Sequence, residues 1–251
     1  MIGLERTPST KDYTQMDHLI RHKDYYANAK YQITKHWLLE FIRPGMHLLN
    51  VGCGGGEFNT IAVEMGLSVT AFEPEPEAYE LALRRLPPVN CEVLQLDLFS
   101  INPNIYRADV VVMHDVLEHI EDDTQAVCKI ATLIKPGGRG IISVPALQEL
   151  FGYHDLQLGH HRRYSKSSLE RVLSPFFRVR RLRYFGMSFI PITLWHSRIR
   201  GTSYSIDTLA SNSLKSHIWR ILCLVESSVS LPVGTSLLAE VEPNARLIEQ
   251  R

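Results

Sequence analysis

The chain has 251 residues, 45% of them hydrophobic and 22% charged, with 27 Lys+Arg balanced by 27 Asp+Glu. These are the proportions of an ordinary globular protein, and they exclude a collagen-like repeat, a coiled coil and a disordered chain. A formal net charge of zero excludes coating of nucleic acid by bulk charge, so no DNA partner is expected.

The four cysteines, Cys53, Cys91, Cys128 and Cys223, form no C-x-x-C pair and give no zinc spacing. The first eighteen residues are polar and lack the apolar core of a signal peptide. No uncharged apolar run reaches the ~18–20 residues that span a bilayer, so no transmembrane segment is expected. A cytoplasmic location with reduced thiols follows as the expectation.

Along the chain, a helix is predicted from about Tyr25 to Phe41 and is broken by Arg43-Pro44-Gly45. Short β-like runs then alternate with helical ones. His47–Val51 precedes a glycine loop and a helix from Glu57 to Met65. Ser68–Phe72 precedes a helix from Glu75 to Arg85. Cys91–Gln95 and Asp109–Met113 are the third and fourth strands. A helix from Asp122 to Leu133 ends at Lys135-Pro136-Gly137-Gly138, and Gly140–Val144 is the fifth strand. Continuous apolar strands alternating with helices predict a mainly parallel sheet covered on both faces, an α/β fold. Ser167–Leu173 reads as a helix, Phe176–Tyr184 as a strand with alternating arginines, and Gly234–Val241 as a final strand. The segment 186–232 reads as a helical insertion before that strand. We expect one domain over 1–251: an N-terminal helical cap at 1–44, a cofactor-binding core at 45–146, and a substrate-side portion at 147–251.

Asn50-Val51-Gly52-Cys53-Gly54-Gly55-Gly56-Glu57 lies where the first strand turns into a helix. Glycines there let backbone approach a ligand without Cβ clashes. Glu57 stands where a dinucleotide fold has its third glycine, which counts against a pyrophosphate and a nicotinamide oxidoreductase. Glu73 ends the second strand, where a carboxylate can accept both ribose hydroxyls and would repel a ribose phosphate. Leu96-Asp97-Leu98 follows the third strand and His114-Asp115-Val116-Leu117-Glu118-His119 the fourth. All four pieces lie at carboxyl ends of strands, where open α/β sheets bind ligands.

At LLNVGCGGGEF, AFEPEPE, QLDLF, VVMHDVLEHI and LIKPGGRGIISVPA the sequence resembles the class I S-adenosylmethionine-dependent methyltransferases. More narrowly, it is similar to the small-molecule branch that includes the ubiquinone-biosynthesis O-methyltransferases. GHHRRYSKSSLERVL and LPVGTSLLAEV extend the likeness. The resemblance implies a Rossmann-like doubly wound sheet of seven strands, the last antiparallel, and S-adenosyl-L-methionine as cofactor. It implies that Gly52, Cys53 and Gly54 pack against the methionine part, that Glu73 binds ribose with Pro74 beside the adenine, that Asp97 and Leu98 hold the adenine, and that His114 lines the sulfonium. Asn50 stands where the family usually has Asp, an amide that can still orient the loop.

Methyl transfer to a neutral hydroxyl needs a base, and histidine is the usual one near neutral pH. His160, in the stretch that borders the acceptor pocket in the resembling family, and His119 are the catalytic candidates. His154 is a weaker one. His161, Arg162, Arg163 and Tyr164 are the substrate-side candidates. Asp115, Glu118 and His119 would share one face of a helical turn and could present three ligands to Mg2+, but a site without metal is the expectation.

From Leu156 to Val225 there are 12 Lys+Arg and 2 Asp+Glu, which leaves 15 basic and 25 acidic residues elsewhere. The basic stretch predicts an anionic, partly hydrophobic small-molecule acceptor, with Phe185, Met187, Phe189, Leu194, Trp195 and Trp219 as an apolar cover. A peripheral membrane or homodimer contact is compatible with it. The expected activity is methylation of such an acceptor, most directly at oxygen. N- or C-methylation, or a non-catalytic cofactor-binding or RNA-associated role, are the alternatives. The absence of an Asn-Pro-Pro-aromatic tetrapeptide after the fourth strand argues against methylation of nucleic-acid bases.

Overall fold

Residues alternate between two apolar faces along each central strand, and that alternation builds the protein. In the computed structural model, which describes residues 25–202 and 214–244, β1 (His47–Val51) sends Leu49 and Val51 to one face and Leu48 to the other. β4 (Ala108–His114) does the same with Val111 and Met113 against Val110 and Val112. Both faces are therefore covered, as the unbroken apolar strands require.

The sheet has seven strands among the described residues, in the order β3-β2-β1-β4-β5-β7-β6. β2 (Ser68–Phe72), β3 (Cys91–Leu94), β1, β4 and β5 (Ile134–Pro145) run parallel. β7 (Ser236–Pro243) runs antiparallel between β5 and β6 (Phe177–Phe185). The sheet order reverses direction between β1 and β4, so the carboxyl ends of these two strands open the crevice in which such sheets bind ligands.

Apart from one short helix, the helices up to Leu173 fall where the periodicity placed them, within two residues at each end. They are α1 (Tyr25–Leu39), α2 (Glu57–Glu64), α3 (Pro76–Arg84) and α4 (Asp123–Leu133), then α5 (Tyr153–Gln157) and α6 (Lys166–Leu173). α5 is a short helix with no distinct sequence signal. The insertion is helical through α7 (Ile190–Thr193), a π-helical turn (Leu194–Arg200) and α8 (Leu214–Ser228), which packs on α1. Residues 1–24 of the predicted cap at 1–44 and the insertion's middle, 203–213, lie outside the described residues. Among the described residues, no helix is long and apolar enough to cross a membrane.

β5 departs from the prediction of a helix stop, a loop and a five-residue strand. Its pairing with β4 jumps from Ala108↔Ile134 to Val110↔Arg139, so Lys135–Gly138 bulge out of a strand that has already begun. Pro136 has no N–H to give a ladder, and Gly137 takes φ +78°.

Two arginines of β6 face acids. Arg180 pairs with Glu242 at 2.9 Å, and Arg181 pairs with Glu40 and with Glu240 at 3.1 Å. Arg183 donates to the carbonyls of Glu226, Ser227 and Val229 and so closes the carboxyl end of α8. The buried Glu226 carboxylate returns the tie by accepting the backbone N–H groups of Gly186, Met187 and Ser188, each at 2.9 Å.

Candidate active site

The glycine loop is shaped by its protein neighbours before any ligand arrives. Gly52 has φ +69°, and a Cβ there would lie 2.4 Å from a methyl of Val116. The N–H groups of Gly52 and Cys53 both donate to the Phe72 carbonyl at the end of β2. Gly54, at φ +56°, donates its N–H to Glu73 Oε2 at 2.7 Å, and Glu75 donates its N–H to Glu73 Oε1 at 3.0 Å. Two backbone donors thus fix a nearly buried carboxylate at the mouth of β1 and β2. Burial first, and the Glu73 charge second, push the Cys53 thiol far above its ordinary range, so it is an inert packing group.

Two residues of this loop have structural duties. The buried Asn50 amide donates to Asn59 Oδ1 of α2 at 2.8 Å, which ties β1 to the helix that follows the loop. Glu57, in the place of the third dinucleotide glycine, forms an ion pair with Arg85 at the end of α3. Asp97 caps the 3-10 turn Leu98–Ser100, accepting from the N–H groups of Phe99 and Ser100 and the Ser100 hydroxyl. The Ser100 hydroxyl leads the hydrogen bonds that hold its carboxyl below the usual range. Leu98 beside it is buried and Pro74 is exposed.

At the end of β4, His114 is buried and lies against Tyr31 and Phe58, with its Nε2 2.9 Å from the Thr34 hydroxyl of α1. Asp115 adopts φ +54°, an unusual conformation for a non-glycine residue. Its carboxylate pairs with the buried Lys30 and accepts from the Ser143 hydroxyl at 3.0 Å. The expected face of Asp115, Glu118 and His119 is therefore not formed. The left-handed turn at Asp115 precedes a 3-10 turn, Leu117–His119, rather than one continuous helix.

Glu118 and His119 are instead joined by His160. The backbone N–H of His161 donates to the Glu118 carbonyl at 2.8 Å and clamps the 155–164 loop onto the turn. His160 Nε2 then lies 3.9 Å from Glu118 Oε1, and the rings of His119 and His160 meet edge to face at 4.7 Å between centroids. One ligand atom from each of the three lies within 4.8 Å of the others. His160 Nδ1 is 2.9 Å from Asp155 Oδ1. Burial works to raise the Asp155 pKa, but His160 and Arg163 outweigh it and hold the carboxyl at about 2.

Of the substrate-side candidates, His161 is exposed. Arg162 pairs with Asp123 at 2.8 Å, and the buried Arg163 pairs with Asp155 at 2.7 Å. The buried Tyr164 hydroxyl donates to Asp123 at 2.9 Å. Sequence reasoning missed Asp155, Lys30, Thr34 and Ser143. Asp155 lies five residues before His160 across a helix end, a spacing that no local rule singles out. The other three reach the site only through tertiary packing of α1 and β5.

Together these elements place the Glu73 carboxylate on one side of the sheet reversal and an imidazole–carboxylate cluster on the other. Residues 49–142 match a family model described as a methyltransferase domain. The chain is thus similar, in fold and in motifs, to the class I S-adenosylmethionine-dependent methyltransferases.

Among individual proteins, it is 33% identical over 105 residues to the ubiquinone biosynthesis O-methyltransferase of Xanthomonas campestris pv. campestris, covering 40% of this chain and 43% of that protein. It is 29% identical over 97 residues to the protein of the same name from Coxiella burnetii, covering 38% and 42%. The chain therefore matches less than half the length of these curated relatives. The N-methyltransferase NodS of Bradyrhizobium japonicum, solved with S-adenosylhomocysteine, shares the fold at a TM-score of 0.61 and 13% identity over 95% of this chain and all of that one.

Proposed function

We propose that this chain transfers a methyl group from S-adenosyl-L-methionine to an oxygen of a small organic acceptor. The observation that carries the reading is Glu73, held by the N–H groups of Gly54 and Glu75 beside a glycine loop of positive φ. That carboxylate fits a pair of ribose hydroxyls. Gly52, Cys53 and Gly54 would face the methionine part, Pro74, Asp97 and Leu98 the adenine, and His114 the sulfonium. When bound, the cofactor supplies an already activated methyl group. The protein must then align the acceptor, keep water out and deal with the acceptor's proton.

His119 and His160 are the residues we assign to that proton, since both border the crevice and Asp155 orients the second. Asn50, Arg163 and Tyr164 hold the loops in place through Asn59, Asp155 and Asp123. The names of the curated relatives support oxygen as the methylated atom. An apolar acceptor is favoured by the half-exposed Met187, Leu194 and Trp195 of the insertion. An anionic acceptor would be met by Arg198 and Arg200, since Arg162 and Arg163 are each paired with a carboxylate of the chain.

The test is incubation with isotope-labelled S-adenosylmethionine and a metabolite extract, read by mass spectrometry. A product that gains one labelled methyl at a hydroxyl oxygen supports the reading. Label arriving only at nitrogen or carbon, or cofactor binding without turnover on any acceptor, contradicts it.

A further inference from the structure

The outward face of α8 carries large aliphatic side chains that the described residues leave uncovered. We propose that this face is the contact between two copies of the chain, paired antiparallel across a two-fold axis. α8 is apolar on both sides, and only one side is used within the chain. On the inner side Cys223 is buried in the cluster that holds Ala27, Ile33 and Phe185, and Trp219 lies against Phe189 at 4.7 Å between ring centroids. The buried Glu226 carboxylate faces the backbone of 186–188. On the outer side Ile218, Ile221, Leu224 and Val225, with Val229 just beyond the helix, are between 44% and 59% exposed.

Spacing, area and charge together select a second copy as the occupant. Ile218, Ile221 and Val225 stand at i, i+3 and i+7, the positions that form the seam between paired helices, and all three are β-branched. Such a stripe is self-complementary. An antiparallel partner sets Ile221 against Val225 of the second copy and Val225 against its Ile221, the reciprocity that a two-fold interface requires. The five half-exposed side chains leave on the order of 500 Å² of apolar surface open. That is towards the upper end of the largest patch on a typical monomer, and more than half of the roughly 800 Å² per partner that a standard interface buries.

The exposed Arg220 lies in the amino-terminal half of α8, and the acid of the helix, Glu226, is buried in the carboxyl-terminal half. Antiparallel pairing puts Arg220 of each copy beside the carboxyl-terminal half of the other helix, where the macrodipole is negative, and keeps the two arginines apart. Parallel pairing would bring them together. A helix that lies on an anionic membrane presents aromatic side chains and a row of cations beside its apolar stripe. The exposed stripe of α8 is aliphatic, and Trp219 turns inward to Phe189. The pairing is independent of the methyl-transfer reading. Because α8 packs on α1, which brings Thr34 to His114 and Lys30 to Asp115, it would brace the helix that lies against the end of β4.

The test is light scattering of the purified full chain after size exclusion, at about 50 µM, with sedimentation velocity across a dilution series. The wild type should have twice the chain mass of 28.6 kDa. Ile221→Glu together with Val225→Glu, both at exposed positions that folding tolerates, should weaken self-association by at least about 100-fold with far-UV circular dichroism unchanged. Cross-linking reads the pairing without that variant. Oxidising a mixture of Ile221→Cys and Val225→Cys chains should give more disulfide-linked dimer than either chain alone. A wild type that stays a monomer, a dimer that the double variant leaves intact, or equal cross-linking in the mixture and the single variants overturns the proposal. So does a monomer that floats with phosphatidylcholine–phosphatidylglycerol vesicles and is released by the double variant, which would give the face to a membrane.

Discussion

Gly52 shows how a single residue couples the two halves of the crevice. Its φ of +69° costs an alanine about 1 kcal/mol or more, and the added Cβ would press on Val116, 2.4 Å from its nearest methyl. Val116 immediately precedes the turn that carries Glu118 and His119, so a push there moves the cluster as well as the loop. Gly52→Ala should lower stability by about 2–4 kcal/mol and the Tm by roughly 5–15 °C. Adding Val116→Ala should recover the part due to the clash. A single mutant that melts with the wild type would show that the loop is not strained in this way. The glycines were legible because a positive φ leaves a compositional mark. The roles of Asn50 and Glu57 were not, because a buried amide pair and an ion pair between two helices arise from packing partners far along the chain.

The elements themselves were readable almost to the residue wherever apolar runs were continuous. β1 and β2 match their predicted bounds because Arg43-Pro44-Gly45 and Gly66 punctuate them sharply. β5 was shortened in prediction because Pro136-Gly137-Gly138 reads as a loop, whereas the strand tolerates those residues as a bulge at its start. At the far edge, Arg183 closes α8, and its role depends on a partner more than 40 residues away. Arg183→Ala should free the carbonyls of Glu226, Ser227 and Val229 and loosen the last turn of α8. Amide exchange in 224–228 should speed up, with a Tm loss of about 2–5 °C. Unchanged exchange there would mean that the packing of α8 on α1 holds the helix end without the arginine.

Across the whole molecule, the zero net charge is an arrangement rather than an average. The basic stretch from Leu156 to Val225 and the acidic remainder meet as paired groups, Arg180 and Arg181 with Glu40, Glu240 and Glu242, and Arg162 with Asp123. The fold class was legible because it is written in local motifs and apolar runs along the strands. The cluster after β4 was only half legible, since His160 joins Glu118 and His119 through a loop clamp that spacing does not reveal. The crevice is proposed to accept a nucleoside with a methionine tail, and one titration tests that most directly. Calorimetry of the purified chain with S-adenosylhomocysteine should show one site per chain, and Glu73→Ala should weaken it by about 100-fold, because the carboxylate proposed to accept from both ribose hydroxyls is lost. No binding at millimolar ligand, or an equal affinity in Glu73→Ala, would contradict it.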